Sequence, residues 1–207
     1  MQDLALSTPL WIAILGIVVN ALVGALHGYT DAHRRWDVVG VLTFALLMGL
    51  GGGVIRDLLI GEPPASLRTP WPIAAVVVTV AFARVAGRWV VNLPVLLGAL
   101  DALALGLFAM SGAAAASAHG LPAVSAVLVG VLSAVGGGVL VSVVRGEVPS
   151  VLQPSRPHAL LAALVAVVYL ALSHWSENEA YVVGAVVGVA LYLVSERWRV
   201  ETSPVRL

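Results

Sequence analysis

Arg56 and Asp57 stand three and four residues after a run of three glycines, near the end of an otherwise apolar stretch. Charges held among aliphatic side chains are costly to keep from water, so they face a partner or a water-filled cavity. In a cavity the guanidinium could repel or latch and the carboxylate could attract cations. A structural ion pair that pins helix ends is the competing reading. Adjacent helical residues point about 100° apart, so the two are not expected to pair with each other. Asp101 is the other acid within an apolar stretch, placed either to line a path or, the favoured reading, to pair with Arg84 or Arg88.

The glycines Gly51, Gly52 and Gly53 recur as Gly136, Gly137 and Gly138, and their surroundings recur with them. Gly51 to Pro64 aligns with Gly136 to Pro149 at a constant offset of 85 residues, matching the glycines, the pairs Gly61-Glu62 and Gly146-Glu147, and the final proline. A weaker echo relates Asn20 to Ala25 with Phe108 to Ala113. A glycine in a helix interior costs about 1 kcal/mol against alanine. One packing contact needs one or two glycines, so a kink or break is expected at each triplet, with close helix packing as the alternative. A break would free carbonyls that survive in a membrane only against protein or water, and that suit cations. For the pairs Gly24 with Gly28 and Gly184 with Gly188, packing is expected. In the second copy Val141 and Ser142 replace Arg56 and Asp57, while Arg145 stands one turn later. Glu62 and Glu147 follow the glycine helices as acidic mouths or as turn caps. Asn20, Ser111 and Ser133 are expected to form packing hydrogen bonds.

The elements that must hold these residues follow from composition. Of 207 residues 60% are hydrophobic and 11% charged, with a mean hydropathy of +1.00. A soluble domain carries about 25% charged residues; here the solvent must be lipid over most of the surface. Net charge is zero, so no field favours nucleic acid. Apolar runs give seven segments, at Pro9–Tyr29, Val38–Ile60, Trp71–Val90, Pro94–Ala118, Pro122–Val144, His158–Ser173 and Ala180–Arg197. The N-terminus lacks a basic region before its apolar run, so the first segment reads as a retained helix.

The repeat divides the chain, a single membrane domain over 1–207, into three helices at 9–91, three more at 94–174, a seventh helix at 179–198 and a tail at 199–207. Units with an odd number of spans must lie upside down relative to each other, the inverted-repeat plan of many transporters. The expected fold is therefore an all-α membrane protein of seven transmembrane helices, an inverted 3+3 repeat plus one. Arg34, Arg35, Arg84, Arg88, Arg145, Arg156, Arg197, Arg199 and Arg206 fall on one side of this plan, and Arg56 and Arg68 on the other. The excess marks the cytoplasmic side, with the C-terminus inside and the N-terminus outside.

The chain has no Cys, no His-Glu-x-x-His, no phosphate-binding loop and no Gly-x-Ser-x-Gly, and its five His show no ligand spacing. No enzyme, cofactor or resident metal is expected.

The twice-occurring Gly-Gly-Gly pattern followed by Arg-Asp and Gly-Glu-x-Pro resembles the prokaryotic branch of the trimeric intracellular cation (TRIC) channels, sequences also labelled as a glycine-transporter family. The resemblance covers segments 1 to 6 in order, with the seventh helix in place. The first copy matches closely; the second has Val141 and Ser142 where relatives often carry Arg-Asp, and Ala13 stands where they often carry an acid matching Asp101. The resemblance implies a homotrimer in the plasma membrane of a prokaryote, with one pore inside each subunit. It implies passage of monovalent cations, chiefly potassium with sodium as a second candidate, past kinked segments 2 and 5. Basic residues on segment 4 that would bind phosphoinositide are absent. Gly51–Gly53 and Gly136–Gly138 would then form the constriction, Arg56, Asp57, Ser142, Asp101 and Arg145 would line or gate the path, and Glu62 and Glu147 would stand at its mouths. A carrier of a small zwitterion such as glycine, and a scaffold with a dry interior, are the alternative readings.

Overall fold

The computed structural model describes residues 8–31, 35–91, 94–153 and 157–198. Among these the chain is helical, with α1 at Leu10–Thr30, α2 at Val38–Leu59, α3 at Ala65–Arg68 and α4 at Trp71–Val91. α5 follows at Pro94–Ala118, α6 at Ala123–Arg145, α7 at His158–Leu172 and α8 at Glu177–Arg197, with a 3-10 turn at Ser150–Leu152. Arg34, Arg156, Arg199 and Arg206, and the tail at 199–207, lie outside the described residues, as does the side chain of Arg88. Six of the seven expected segments match within a residue at each end. The last helix starts earlier than hydropathy suggests, because Ser176 caps it, its hydroxyl accepting from the Glu179 amide at 3.4 Å, with Glu177 and Glu179 in a polar first turn.

Among the described residues five helices are long and apolar enough to cross a membrane: α1, α2, α5, α6 and α8. α4 has 21 residues and is apolar over its described stretch Trp71–Val85, and the apolar α7, His158–Leu172, is shorter. These two are the third long helices of the two halves. α7 has 15 residues, or about 22 Å at the helical rise, less than a hydrocarbon core of about 30 Å.

The halves pack alike. α1 lies against α2 and α4 as α5 lies against α6 and α7, and α8 packs on α5 and α7. Ala21, Ala25, Val41, Ala45, Val76 and Val80 join α1, α2 and α4. Ile12, Leu107, Met110, Val165, Tyr169 and Tyr181 join α1, α5, α7 and α8. Lipid gives no hydrophobic drive between helices, so small interfacial residues that let backbones approach carry the association. Gly24 and Gly28 do so against Phe44, Met48 and Val41, and Gly184 against Met110, which is the packing role expected of them.

α2 and α6 run unbroken through both glycine triplets, contrary to the expected interruption with freed carbonyls. The triplets are instead the place where the two helices cross. A Cβ on Gly52 would lie 2.0 Å from the Ser133 carbonyl oxygen, and one on Gly137 would lie 2.8 Å from that of Met48. On Gly51 it would meet Leu140, and on Gly136 it would meet Ile55. The third glycines differ: beside Gly53 and Gly138 only Phe108 and Met48 come near, each at 4.0 Å. Two glycines of each triplet make the crossing, and a Cβ on the third would meet only ordinary contact. The contacts cluster at the triplets, with Gly51 and Gly52 against Leu140, Gly137 and Ser133, and Gly136 and Gly137 against Ile55 and Met48.

Each of these helices ends on the same device. Gly61 at φ 79 and Gly146 at φ 69 adopt the left-handed conformation that suits glycine. The next amide then reaches back: Glu62 N–H to Asp57 O at 2.8 Å, and Glu147 N–H to Ser142 O at 2.9 Å. This Schellman closure explains the repeated Gly-Glu pair through its backbone. Pro64 and Pro149 then start α3 and the 3-10 turn at matching places.

Candidate functional site

Two cavities flank the glycine crossing. The first lies beside the end of α2 and is lined by Gly53, Arg56, Asp57, Glu62, Phe108 and Ser111, among others. The second lies beside the end of α6 and is lined by Asn20, Asp101, Gly138, Ser142, Arg145 and Glu147, among others. Their volumes are about 120 Å³ and about 570 Å³. They approach within one helical turn on three helices: Ile17 faces the first and Asn20 the second, as do Gly49 and Met48, and Leu107 and Leu105. Phe108 lines the first cavity and Met48 the second, and both are buried beside the crossing.

In the first cavity Arg56 and Asp57 do pair, against expectation. Arg56 Nε donates to Asp57 Oδ1 at 2.7 Å, and Nη2 lies 2.7 Å from the same oxygen. Their Cβ directions diverge, but the arginine stem is long enough to fold back across the gap. Nη1 donates to Ser111 Oγ at 2.5 Å, and Asp57 Oδ2 accepts from the Ala65 amide at 2.8 Å. Asp57 is 5% exposed, so the pair and the α3 amide together compensate a charge that burial would otherwise penalise. Ser111 also meets Thr8 Oγ1 at 3.0 Å, and Tyr181 donates to Thr8 at 3.4 Å. The network joins α2, α5 and α8.

At the mouth of this cavity Glu62 pairs with Arg68 and faces His119 Nε2 at 3.5 Å. Hydrogen bonds from Arg68 and then from His119 hold the Glu62 carboxyl below the usual carboxylate range. His119 Nδ1 lies 2.8 Å from the Ala115 carbonyl oxygen, which fixes the ring.

In the second cavity Arg145 pairs with Asp31 at 3.3 Å and with Glu147 at 3.0 Å. Asp31 also accepts from Trp36 Nε1 at 2.8 Å. Asp101 Oδ2 faces His158 Nε2 at 3.7 Å, on α7, and not Arg84; the side chain of Arg88, the other expected partner, lies outside the described residues. Ser142 lines this cavity, as does Asn20. Ser133 departs from its expected role: its hydroxyl is buried with no hydrogen-bond partner among the described residues, and its carbonyl abuts Gly52.

The offset of 85 equates Asp57 with Ser142, Arg56 with Val141 and Glu62 with Glu147. The echo offset of 88 equates Ala13 with Asp101, Phe108 with Asn20 and His119 with Asp31. Apart from Asp31, which pairs with Arg145 beside the second cavity, corresponding positions line opposite cavities with different chemistry. Thr8, Asp31, Phe108, His119 and His158 were not singled out from sequence. Extending the echo to the ends of α1 and α5 would have flagged Asp31 with His119.

The glycine transporter family model matches twice, at residues 10–88 and 98–175. A UPF0126 membrane protein of Deinococcus radiodurans is 34% identical over 121 residues, 58% of this chain and 55% of that protein. The chain thus spans little more than half the length of that curated relative. A TRIC cation channel structure superposes with a TM-score of 0.81 at 32% identity, covering 95% of this chain and 97% of the other. The TRIC trimeric intracellular cation channel orthologue from Rhodobacter sphaeroides gives 0.81 at 26% identity, over 92% and 97%. The fold is that of a multi-pass membrane protein whose solved counterparts are channels and not enzymes. With the family model matched over both halves and a TRIC structure over nearly its whole length, the chain belongs to the glycine transporter family that includes the prokaryotic TRIC channels.

Proposed function

We propose that the chain forms a passive channel for monovalent cations, potassium first, with one pore inside each subunit of a homotrimer. The observation that carries the reading is the pair of charged cavities that approach within one helical turn on either side of the α2–α6 crossing. The family's solved members, described as cation channels, support it. On this reading the two inverted three-helix halves at 9–91 and 94–174 each supply one vestibule. Phe108 and Met48, beside the crossing, close the path between the cavities, and conduction requires them to move aside. Arg56, Asp57, Ser142, Asp101 and Arg145 line the path, and Glu62 and Glu147 stand at its ends. On this reading the protein sits in a prokaryotic plasma membrane, and the arginine distribution favours the first cavity outside and the second facing the cytoplasm.

Potassium flux into liposomes, with single-channel recording on the same preparation, tests the proposal. Unitary currents reversing at the potassium equilibrium potential are expected. One alternative has specific support: the two separate cavities and the family's description suit an alternating-access carrier of a small zwitterion. Saturable glycine uptake with counterflow and no unitary currents would replace the channel by the carrier.

The charge balance gives a second expectation. The first cavity holds Arg56 and Arg68 against Asp57 and Glu62. The second sets Asp101 and Glu147 against Arg145, with Asp31 beside it. This acidic excess concentrates cations. Asp101→Asn removes about 1 kcal/mol of attraction for a cation nearby, about fivefold in local concentration. Single-channel current carried from the cytoplasmic side should fall by a similar factor, while current from the other side falls less. Equal currents in Asp101→Asn and the parent would remove Asp101 from the path.

A further inference from the structure

Arg56 engages all three of its nitrogens. Nε and Nη2 each lie 2.7 Å from Asp57 Oδ1, and Nη1 donates to Ser111 Oγ at 2.5 Å. The fork on one carboxylate oxygen holds one edge of the guanidinium. The other edge faces the cavity unless an acceptor takes it, and Ser111, 8% exposed, is that acceptor. A hydroxyl has two lone pairs and one hydrogen, so Ser111 serves Arg56 and still meets a second partner. That partner is Thr8, just ahead of α1, with Oγ1 3.0 Å from Ser111 Oγ. Behind Thr8 stands Tyr181 of α8, its hydroxyl donating at 3.4 Å. Tyr181 is fully buried, and its ring lies 4.7 Å from that of Tyr169. Gly184, one turn on, lets α8 close on Met110, the neighbour of Ser111. A row of three hydroxyls thus runs from a tight helix contact to the guanidinium.

The second half lacks both ends of this contact. The offset of 85 puts Val141 where Arg56 stands, and the echo offset of 88 puts Val23 where Ser111 stands. Val23 and Val141 pack in one apolar cluster with Phe44 and Met48. Donor and acceptor are present together in one half and absent together in the other, which ties Ser111 to the arginine and not to helix packing alone.

We propose that Ser111 and, behind it, Thr8 are positioning residues for Arg56, holding the guanidinium folded back on Asp57 and against the wall of the first cavity, and that α8 takes part in this site through Tyr181. Positioning stands apart from the channel reading; its effect on flux rests on it. Without the Ser111 hydroxyl the Nη1 edge turns toward the cavity and opposes an entering cation.

The test is nuclear magnetic resonance of the purified chain in detergent, isotope-labelled at arginine, with Arg56 assigned by its loss in Arg56→Gln. Held at both edges, Arg56 should give separate Nη1 and Nη2 signals. Ser111→Ala should speed rotation about its Nε–Cζ bond by about fivefold, the equilibrium weight of one ordinary hydrogen bond, and merge the two. Thr8→Val, an isostere without the hydroxyl, should act in the same direction and less, Tyr181→Phe least, and Thr8→Ser should match the parent. Ser133→Ala, which removes a buried hydroxyl outside the row, should leave the signals unchanged. Thermal midpoints of the variants separate lost positioning from lost fold. Unchanged Arg56 signals in a folded Ser111→Ala, or an equal change in Ser133→Ala, would overturn the proposal. In liposomes Ser111→Ala should lower potassium flux in the parent and have no effect in the Arg56→Gln background. Altered signals with unaltered flux would leave Ser111 as a positioning residue and count against a cation path through this cavity.

Discussion

Gly52→Ala should unfold or disassemble the bundle at a much lower temperature than the parent, while Gly53→Ala, one residue later, should be tolerated. The new methyl at Gly52 would lie 2.0 Å from the Ser133 carbonyl oxygen, a backbone atom of the partner helix. α2 and α6 would have to separate where they are closest. Overpacking in a well-filled interior costs about 1–3 kcal/mol and sometimes more; a clash with backbone belongs at the upper end, about 3 kcal/mol. At Gly53 the nearest atom is Phe108 Cε1 at 4.0 Å, ordinary contact. There the helical preference of alanine, about 1 kcal/mol over glycine, has nothing to oppose it. The second triplet repeats the contrast, with Gly137 against the Met48 and Leu47 carbonyl oxygens and Gly138 in ordinary contact. Gly51 and Gly136 fall between, since Leu140 and Ile55 meet them with the ends of flexible side chains. Thermal unfolding in detergent, followed by loss of the size-exclusion peak, measures the difference. Equal midpoints for Gly52→Ala and Gly53→Ala would show that the crossing is not set by these glycines. If Gly53→Ala and Gly138→Ala keep their stability but lose flux, the third glycine of each triplet serves the path.

The same glycines mark how far the sequence could be read. Their repetition gave the two halves and the inversion, because a constant offset survives any error in helix boundaries. What they do was not legible. A triplet reads equally as a weak point or as a contact, and only the position of Ser133, outside the motif, decides between them. The turn device was legible in its residues, Gly-Glu followed by proline, yet it splits each glutamate into a backbone that caps and a side chain free for other work. The Arg56–Asp57 pair was missed because adjacent Cβ directions say nothing about a long side chain that folds back. α3 was missed because four residues carry no periodicity, although its first amide holds Asp57. His119 and Asp31 were missed for a related reason: each ends an apolar helix, where a polar residue is unremarkable, and acquires a partner only through the fold.

Asp57→Asn and Arg56→Gln should change potassium flux in opposite directions, if the first cavity is part of a cation path. Asp57 is the counter-ion of Arg56 and accepts the Ala65 amide. As asparagine it can still accept that amide, so the turn survives, but the guanidinium is left uncompensated in the smaller of the two cavities. Even at an effective dielectric constant of about 20, a like charge 4 Å away opposes a cation by about 4 kcal/mol. Allowing for water and for distance, 1.4 kcal/mol of this is enough for a tenfold fall in flux. Arg56→Gln keeps a donor for Ser111 and leaves Asp57 unopposed, so flux per folded protein should hold or rise. The cost appears in stability: breaking a buried pair by removing one partner costs about 3–5 kcal/mol when nothing else compensates the remaining charge. Here the Ala65 amide reduces that figure for Arg56→Gln, whereas Asp57→Ala removes both interactions and should be the least stable of the three. Flux normalised to folded protein separates the two roles of the pair. A pin between helix ends would lower the yield of folded protein in each variant and leave normalised flux unchanged. A charged constriction would lower it in Asp57→Asn alone.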